Sequence, residues 1–551
     1  MKKSLLAIFL FASATLFAQI SDKKDPYSFS ASHLKSRIQT IEIEAPTAIE
    51  ILDAQNNERL YVVGLFVASE MNSFTHGTWE KTAEGGSIWR LKIESKGAQA
   101  IGMLFDKMEL PAHGELFVYS EDHQQVLGAF TQANNNPKEE WAIQPIGGEA
   151  LIIEYYAPAF VTEKPILKIE GISYNFRGFE GLARGGTGFG ASDACNVNAA
   201  CSEGNNWRDQ IRSVVRMYMK IGFQFAYCSG SLINNVGQGC EPYILSADHC
   251  MGTASTADLN QWIFMFGFES PNCTNPLNQL GLTSKTITGC QMLSRSSTTG
   301  TLVLSDFLLV ELNSPVPVEY NPYWSGWTRF GGSSPSGVSV HHPSGDIKKI
   351  STYSTNLINS TVSTTPNTHW LVTWAQTANG HGITEGGSSG SPLYNNQNQI
   401  VGILSAGLSF CNATSDPDWY GKFSYSWISN GSTANRQLKP WLDPNNANVT
   451  SLVGTNYPCA GIGVQEESIM NFEVFPNPSA GVVNLSWQQT QNEDVLIEVI
   501  DVSGRVLFQN NMAQNAVSKT TLDLSAIPSG IYLVKLTSGG VQKTERVQIL
   551  H

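Results

Sequence analysis

The chain has 551 residues, of which 41% are hydrophobic and 15% charged, with a formal net charge of -13. Such a length exceeds one core, so about three domains are expected, and the apolar content excludes wholesale disorder. The acidic balance excludes a nucleic-acid partner, because binding a polyanion takes a basic footprint.

At the N-terminus Lys2 and Lys3 precede the apolar run Leu5 to Phe17 and the small Ala18. That order reads as an export signal over residues 1–18. The run is short for a bilayer span, and no later segment supplies one. Residues 19–184 carry short apolar runs, such as Leu60-Tyr61-Val62-Val63 and Glu115-Leu116-Phe117-Val118-Tyr119, punctuated by turns such as Pro111-Ala112-His113-Gly114. This pattern predicts a β-sandwich. A glycine-rich stretch from Gly181 to Gly190 then interrupts it and reads as an exposed boundary, with Arg184-Gly185 a candidate cleavage point.

Residues 185–445 form the next expected domain. Eight of the nine cysteines lie between Cys195 and Cys411, and none precedes Cys195. Clustering without C-x-x-C pairs points to disulfides formed in an oxidising compartment rather than to a metal site. A linker is expected over 446–471, with Cys459 standing apart. Residues 472–551 are again strand-like, with the run Val495 to Ile500 and a turn at Ser503-Gly504. A small immunoglobulin-like sandwich suits that length.

The chemistry concentrates in Glu385-Gly386-Gly387-Ser388-Ser389-Gly390-Ser391-Pro392. A serine hydroxyl needs a base and oxyanion donors to act as a nucleophile, and flanking glycines let backbone N–H groups converge. Ser389 is the candidate nucleophile, with the Gly387 and Ser389 amides as oxyanion donors. Leu245-Ser246-Ala247-Asp248-His249-Cys250 places a histidine, His249, at the end of an apolar strand beside a cysteine. Asp306 opens the apolar run Phe307 to Leu312, where an unpartnered acid is costly. Bonding to the imidazole answers that cost and sets its tautomer. The order His249, Asp306, Ser389 is that of chymotrypsin-class enzymes and excludes an α/β-hydrolase, whose histidine follows the serine. Ser388 precedes the nucleophile where trypsin-like zymogens carry an aspartate that pairs with a new N-terminal amine, so no amine-driven switch is expected. His341-His342-Pro343 and His381 read as structural, since adjacent strand histidines face opposite ways.

Residues from about 190 to 445 resemble the bacterial lysyl endopeptidases. The resemblance rests on Cys195 to Cys201, Trp207-Arg208-Asp209, Cys228-Ser229-Gly230-Ser231-Leu232, the three triad segments and Trp441-Leu442-Asp443-Pro444. It implies a double β-barrel with the active site between barrels, and disulfides Cys195–Cys411, Cys201–Cys273 and Cys228–Cys250. Cys240 and Cys290 are then left over for a fourth bridge. The trypsin pocket position, six residues before the nucleophile, is Ile383 here. The resemblance instead implies a pocket acid in Asp418-Trp419-Tyr420-Gly421-Lys422, with Asp416 a nearby decoy. Leu404-Ser405-Ala406-Gly407 resembles the strand that pairs with substrate backbone, so Ser405 and Gly407 are candidate substrate-binding residues. Ser405 replaces a histidine of that family, which weakens strict lysine preference. Residues 472–551 resemble the C-terminal sorting domain of the type IX secretion system of Bacteroidetes, through Phe475-Pro476-Asn477-Pro478, Asp501-Val502-Ser503-Gly504-Arg505 and Pro528-Ser529-Gly530-Ile531-Tyr532. Residues 19–184 stand where these proteases carry a propeptide.

The expected fold class is therefore all-β: a chymotrypsin-like double β-barrel flanked by an N-terminal β-sandwich-like pro-region and a C-terminal immunoglobulin-like β-sandwich. The expected function is a serine endopeptidase cutting after lysine or arginine, exported across a Gram-negative outer membrane. Its partners would be protein or peptide substrates and the type IX secretion machinery, with no cofactor and no metal. The rival from another class is a surface adhesin reusing the barrel, which would have no need of triad and oxyanion motifs.

Overall fold

A computed structural model describes the chain apart from residues 1–23, 137, 178–191, 277–281, 283–284, 298–303, 363–364, 460–468, 490–494, 502–504, 513–518 and 539–540. The export signal, the Arg184-Gly185 boundary and the Ser503-Gly504 turn lie outside the described residues. The chain divides into two compact units, Met1–Cys459 and Ala460–His551.

In the first unit the N-terminal region is a sandwich. A six-stranded sheet contains Gln39–Glu42, Thr78–Lys81, Ser87–Glu94, Glu115–Ser120, Val126–Phe130 and Ala150–Ala157. It faces strands Tyr61–Asn72 (β1), Ala100–Glu109, Trp141–Gly147 and Ile166–Asn175. Period-two alternation explains the packing. Ile101, Met103 and Phe105 enter the sandwich core with Trp89 and Leu91. Ala100 and Leu104, on the other face, pack with Tyr218, Phe225 and Tyr227 of the following domain. A sheet buried on both faces reads as a nearly continuous apolar run, as this strand does.

The sequence expectation of a separate N-terminal domain thus needs qualification. β1 pairs antiparallel with Gln224–Leu232 (β2), matching Tyr61 to Tyr227 and Gly64 to Phe225 across a bulge. The N-terminal sheet and the first barrel are one eleven-stranded sheet. The barrel itself also uses Val214–Ile221, Tyr243–Ala247 (β3), Ile263–Phe266, Lys285–Thr288, Cys290–Arg295 and Phe307–Leu312 (β4). The second barrel contains Gly337–His341 (β5), Lys349–Tyr353 (β6), Thr365–Val372 (β7), Pro392–Asn395 (β8), Gln399–Gly407 (β9) and Asp418–Lys422 (β10). The fold of this domain is the chymotrypsin-like double barrel.

Cysteine pairing is as the resemblance implies at Cys195–Cys411, Cys201–Cys273 and Cys228–Cys250, and departs from expectation at the fourth bridge. Cys240 bonds Cys459, while Cys290 is a buried free thiol. The reason is the path of the segment expected to be a linker. Ser451–Leu452 pairs with Gly326–Thr328, and Thr455–Asn456 pairs with Tyr323–Trp324. These short ladders carry Cys459 back onto the barrel, so the linker cannot begin at residue 446.

The second unit, Ala460–His551, is a sandwich of a three-stranded and a four-stranded sheet. Alternate residues Val483, Leu485 and Trp487 of one sheet meet Ile497, Val499 and Val534 of the other. Among the described residues no helix is long and apolar enough to cross a membrane.

Peptide mapping of the oxidised protein is expected to recover a Cys240–Cys459 peptide and Cys290 alkylated only after unfolding. Replacing Cys240 and Cys459 by serine should cost about 2–4 kcal/mol in a denaturant melt. Recovery of a Cys240–Cys290 peptide would reverse the assignment.

Candidate active site

His249 lies in a single helical turn, Asp248–Met251 (α1), that follows β3. β3 and β4 pair antiparallel with Ala247 opposite Phe307, so His249 and Asp306 leave the same end of two bonded strands. The Asp248 amide donates to the Asp306 carbonyl at 3.0 Å. Asp306 is fully buried and takes a left-handed backbone, φ 50°, which Asp tolerates better than most residues. Its carboxylate accepts from the His249 amide at 3.0 Å and bonds His249 Nδ1 at 2.7 Å.

The turn is held from two further sides. Cys250 is bridged to Cys228 of β2. The buried Asp248 carboxylate is paired with Arg295 and accepts from Ser296 Oγ at 3.1 Å and the Ser297 amide at 2.6 Å. Burial works to lower the His249 pKa, but the charge and hydrogen bond of Asp306 more than offset it, leaving it above the ordinary histidine value. Asp248 adds to that rise, and the Arg59 guanidinium opposes it. Among the described residues, one cluster has metal-ligand spacing: Cys228, His249 and Cys250. Both sulfurs are consumed by their own disulfide, so this donor set does not suit an ion.

Ser389 and His249 line one cavity. The serine loop is tied to the first barrel by Ser229 of β2. The Ser229 amide donates to the Ser389 carbonyl at 2.8 Å, and Ser229 Oγ donates to the Gly387 carbonyl at 3.0 Å. Gly387 has φ 94°, and a Cβ there would lie 2.9 Å from the His342 carbonyl oxygen. The amides of Ser388, Gly390 and Ser391 are all bonded, to the carbonyls of Glu385, Leu404 and Ser388. Those of Gly387 and Ser389 have no partner among the described hydrogen bonds. Two neighbouring free donors in a loop this constrained can receive a developing negative charge.

Asp418, at the start of β10, is fully buried, whereas the decoy Asp416 is exposed. Oδ2 accepts from Trp374 Nε1 at 2.6 Å, Thr384 Oγ at 2.8 Å and Ser409 Oγ at 2.8 Å. Oδ1 accepts from the amides of Leu408 and Ser409 at 3.0 and 3.1 Å. Burial pushes its pKa up while these bonds pull it down, and burial prevails. All five donors are neutral, so no cation balances the carboxylate. Gly407 is needed beside it, because a Cβ there would lie 2.5 Å from Asp418 Oδ1. Gly407, Thr384 and Ser409 line the cavity above. Ser405, at a bulge in β9, turns its hydroxyl inward to His369 Nε2 at 3.1 Å.

Sequence reading missed Trp374, Thr384 and Ser409, since donors scattered over 35 residues leave no motif. It also missed the N-terminal wall of the cavity. Asn57, Glu58, Arg59, Leu60 and Tyr61 line it together with Arg177. Asn57 Oδ1 accepts from the amides of Arg59 and Leu60 at 3.0 and 3.1 Å, which shapes the turn. Tyr61 lies against Gly386, and Arg177 sits 4.4 Å over the Tyr61 ring.

Residues 189–421 match the family model for the lysyl endopeptidase C-terminal domain, and residues 473–550 that for a secretion system C-terminal sorting domain. A lysyl endopeptidase from Pseudomonas aeruginosa is 27% identical over 389 residues, covering 67% of this chain and 80% of that protein. Among solved structures, the protease Anisep from Arthrobacter nicotinovorans is 14% identical with a TM-score of 0.28, covering 39% of this chain and 91% of its own. The thermostable serine protease AL20 from an extremophilic microorganism is 12% identical with a TM-score of 0.27, covering 38% and 91%. The sorting domain marks the chain for export across the outer membrane.

General-base action needs the neutral imidazole, so kcat/KM of the processed enzyme should rise with pH through an apparent pKa above 6.5. Asp306→Asn should lower that pKa and reduce kcat by about 10⁴-fold. A pH–rate profile with its midpoint below 6.5 would count against the Asp306–His249 coupling.

Proposed function

We propose that this serine endopeptidase, whose residues 189–421 are of the lysyl endopeptidase type, cleaves after basic residues, lysine at or above arginine. Ser389 attacks the scissile carbonyl and His249 takes its proton, later passing it to the leaving amine. Asp306 holds the imidazole and stabilises it when charged. The free amides of Gly387 and Ser389 bind the oxyanion, and an acyl-enzyme forms and is hydrolysed.

One observation carries the substrate reading. A buried carboxylate with five neutral donors and no counter-cation lies beneath a cavity that also contains His249 and Ser389. In a water-poor pocket the attraction for a substrate ammonium or guanidinium is strong. β9 offers Ala406 and Gly407 for backbone pairing with substrate. Ser405 lines the same cavity, with its hydroxyl oriented by His369.

Residues 19–184 act as a pro-region. They fill the cavity wall with Asn57 to Tyr61 and share a sheet with the first barrel, so substrate access requires their removal or displacement. The type IX secretion machinery is the partner read by the sorting domain.

Ser389→Ala should abolish hydrolysis and fluorophosphonate labelling with the fold intact; near-parental activity would remove Ser389 from the mechanism. Asp418→Asn should reduce kcat/KM for Lys and Arg peptides far more than for a matched Leu peptide. Equal losses on all three would overturn the pocket assignment. The intact precursor should label at least about tenfold more slowly than enzyme freed of its N-terminal region, because only the open fraction reacts. Equal labelling rates would show that this region does not block the cleft.

A further inference from the structure

His341 takes no part in the chemistry above, yet it is fully buried one hydrogen bond from the serine loop. It ends β5, where Nδ1 is 2.8 Å from Ser388 Oγ and Nε2 is 3.0 Å from Ser351 Oγ of β6. Ser388 Oγ also accepts from the Glu385 amide at 3.2 Å. Ser351 Oγ donates to the Ile383 carbonyl at 3.0 Å.

These bonds admit one continuous proton order. Ser351 Oγ gives its only hydrogen to the Ile383 carbonyl, so it accepts from Nε2, which carries the ring hydrogen of the neutral imidazole. Nδ1 is then the acceptor and takes the Ser388 hydroxyl hydrogen, while Ser388 Oγ accepts from the Glu385 amide. The chain starts and ends on the same segment, 383–388, immediately before the nucleophile. Every buried polar atom in it is satisfied, and losing one member leaves others orphaned. The order requires an uncharged imidazole, and burial together with the nearby Lys349 charge holds the His341 pKa down at about 3.

We propose that His341 is a positioning residue for the oxyanion donors, holding the Gly387 and Ser389 amides in place through Ser388. The clamp is neutral and internal to the second barrel, so the donors are set without an N-terminal amine. Ser388 stands where an amine-driven switch would need a carboxylate, and the imidazole supplies the anchor instead. The inference rests on the assignment of Ser389 as nucleophile.

The test uses processed enzyme and the variants His341→Leu, His341→Asn, Ser388→Ala and His341→Leu/Ser388→Ala. His341→Leu should lower kcat and the fluorophosphonate labelling rate in parallel, by about 10²-fold, the scale of a lost oxyanion donor. KM, and the inhibition constant of n-butylamine in the Asp418 pocket, should stay within about threefold, because four of the five donors to Asp418 come from outside the clamped segment and only Thr384 lies in it. His341→Asn, whose amide oxygen can replace Nδ1 as acceptor, should recover about tenfold or more of the lost kcat. The double variant should cost no more than the worse single one. Acetylating the new N-terminus should leave kcat within about twofold.

A folded His341→Leu enzyme with near-parental kcat overturns the proposal, as does a loss confined to KM or an Asn variant no better than Leu. Collapse of kcat on acetylation also overturns it. If His341→Leu does not fold, Ser388→Ala with unchanged kcat is equally decisive. Activity in a parallel Ser389→Ala control would instead strike the nucleophile assignment itself.

Discussion

The buried Asp306 carboxylate is the constraint around which the site is organised. An unpaired acid at zero exposure would be costly, and the structure answers with two donors from one residue, the amide and Nδ1 of His249. Both must arrive together, which fixes the helical turn as well as the ring. The pairing of β3 with β4 brings the turn to the right strand end. The Cys228–Cys250 bridge and the Asp248–Arg295 pair then stop it from rotating away. The left-handed backbone of Asp306 is a local strain that this set of contacts sustains.

The two halves of the chemistry lie on different barrels, so their alignment is a packing problem. Ser229 solves much of it with two bonds from the first barrel to the serine loop of the second. The same strand, β2, pairs with β1 of the N-terminal region through residues 224–227. One strand therefore links the serine loop, the disulfide beside His249 and the segment that walls the cavity. The proposed release of the N-terminal region would expose a paired sheet edge and a two-sided apolar strand, a substantial rearrangement and not the loss of a loose tail.

The pocket and the serine loop use buried polarity in opposite ways. Around Asp418, neutral donors surround a charge and leave it uncompensated, which suits a cationic substrate. Around His341, a neutral ring completes a closed chain that leaves nothing over for a ligand. Burial alone does not separate these roles; the balance of donors and acceptors does.

Sequence alone was sufficient for the all-β class and the two flanking sandwiches, and it named the residues proposed as the triad. Alternation within strands follows from which face is buried, and the chemistry of an activated serine demands particular residue types in a particular order. Asp418 was singled out because its string resembles a family motif, although its five donors were not legible, since they come from three separated segments. The fourth disulfide was misread: cysteine partners depend on where short ladders carry the chain, and Thr455–Asn456 returns Cys459 to the barrel. Strand order across domains was equally hidden, because the residues of β1 show that a strand exists but not which edge it joins. His341 stood in the sequence as one of two adjacent histidines with no evident duty. Only the tertiary structure, by placing Ser388 on one side of its ring and Ser351 on the other, decided what that side chain holds.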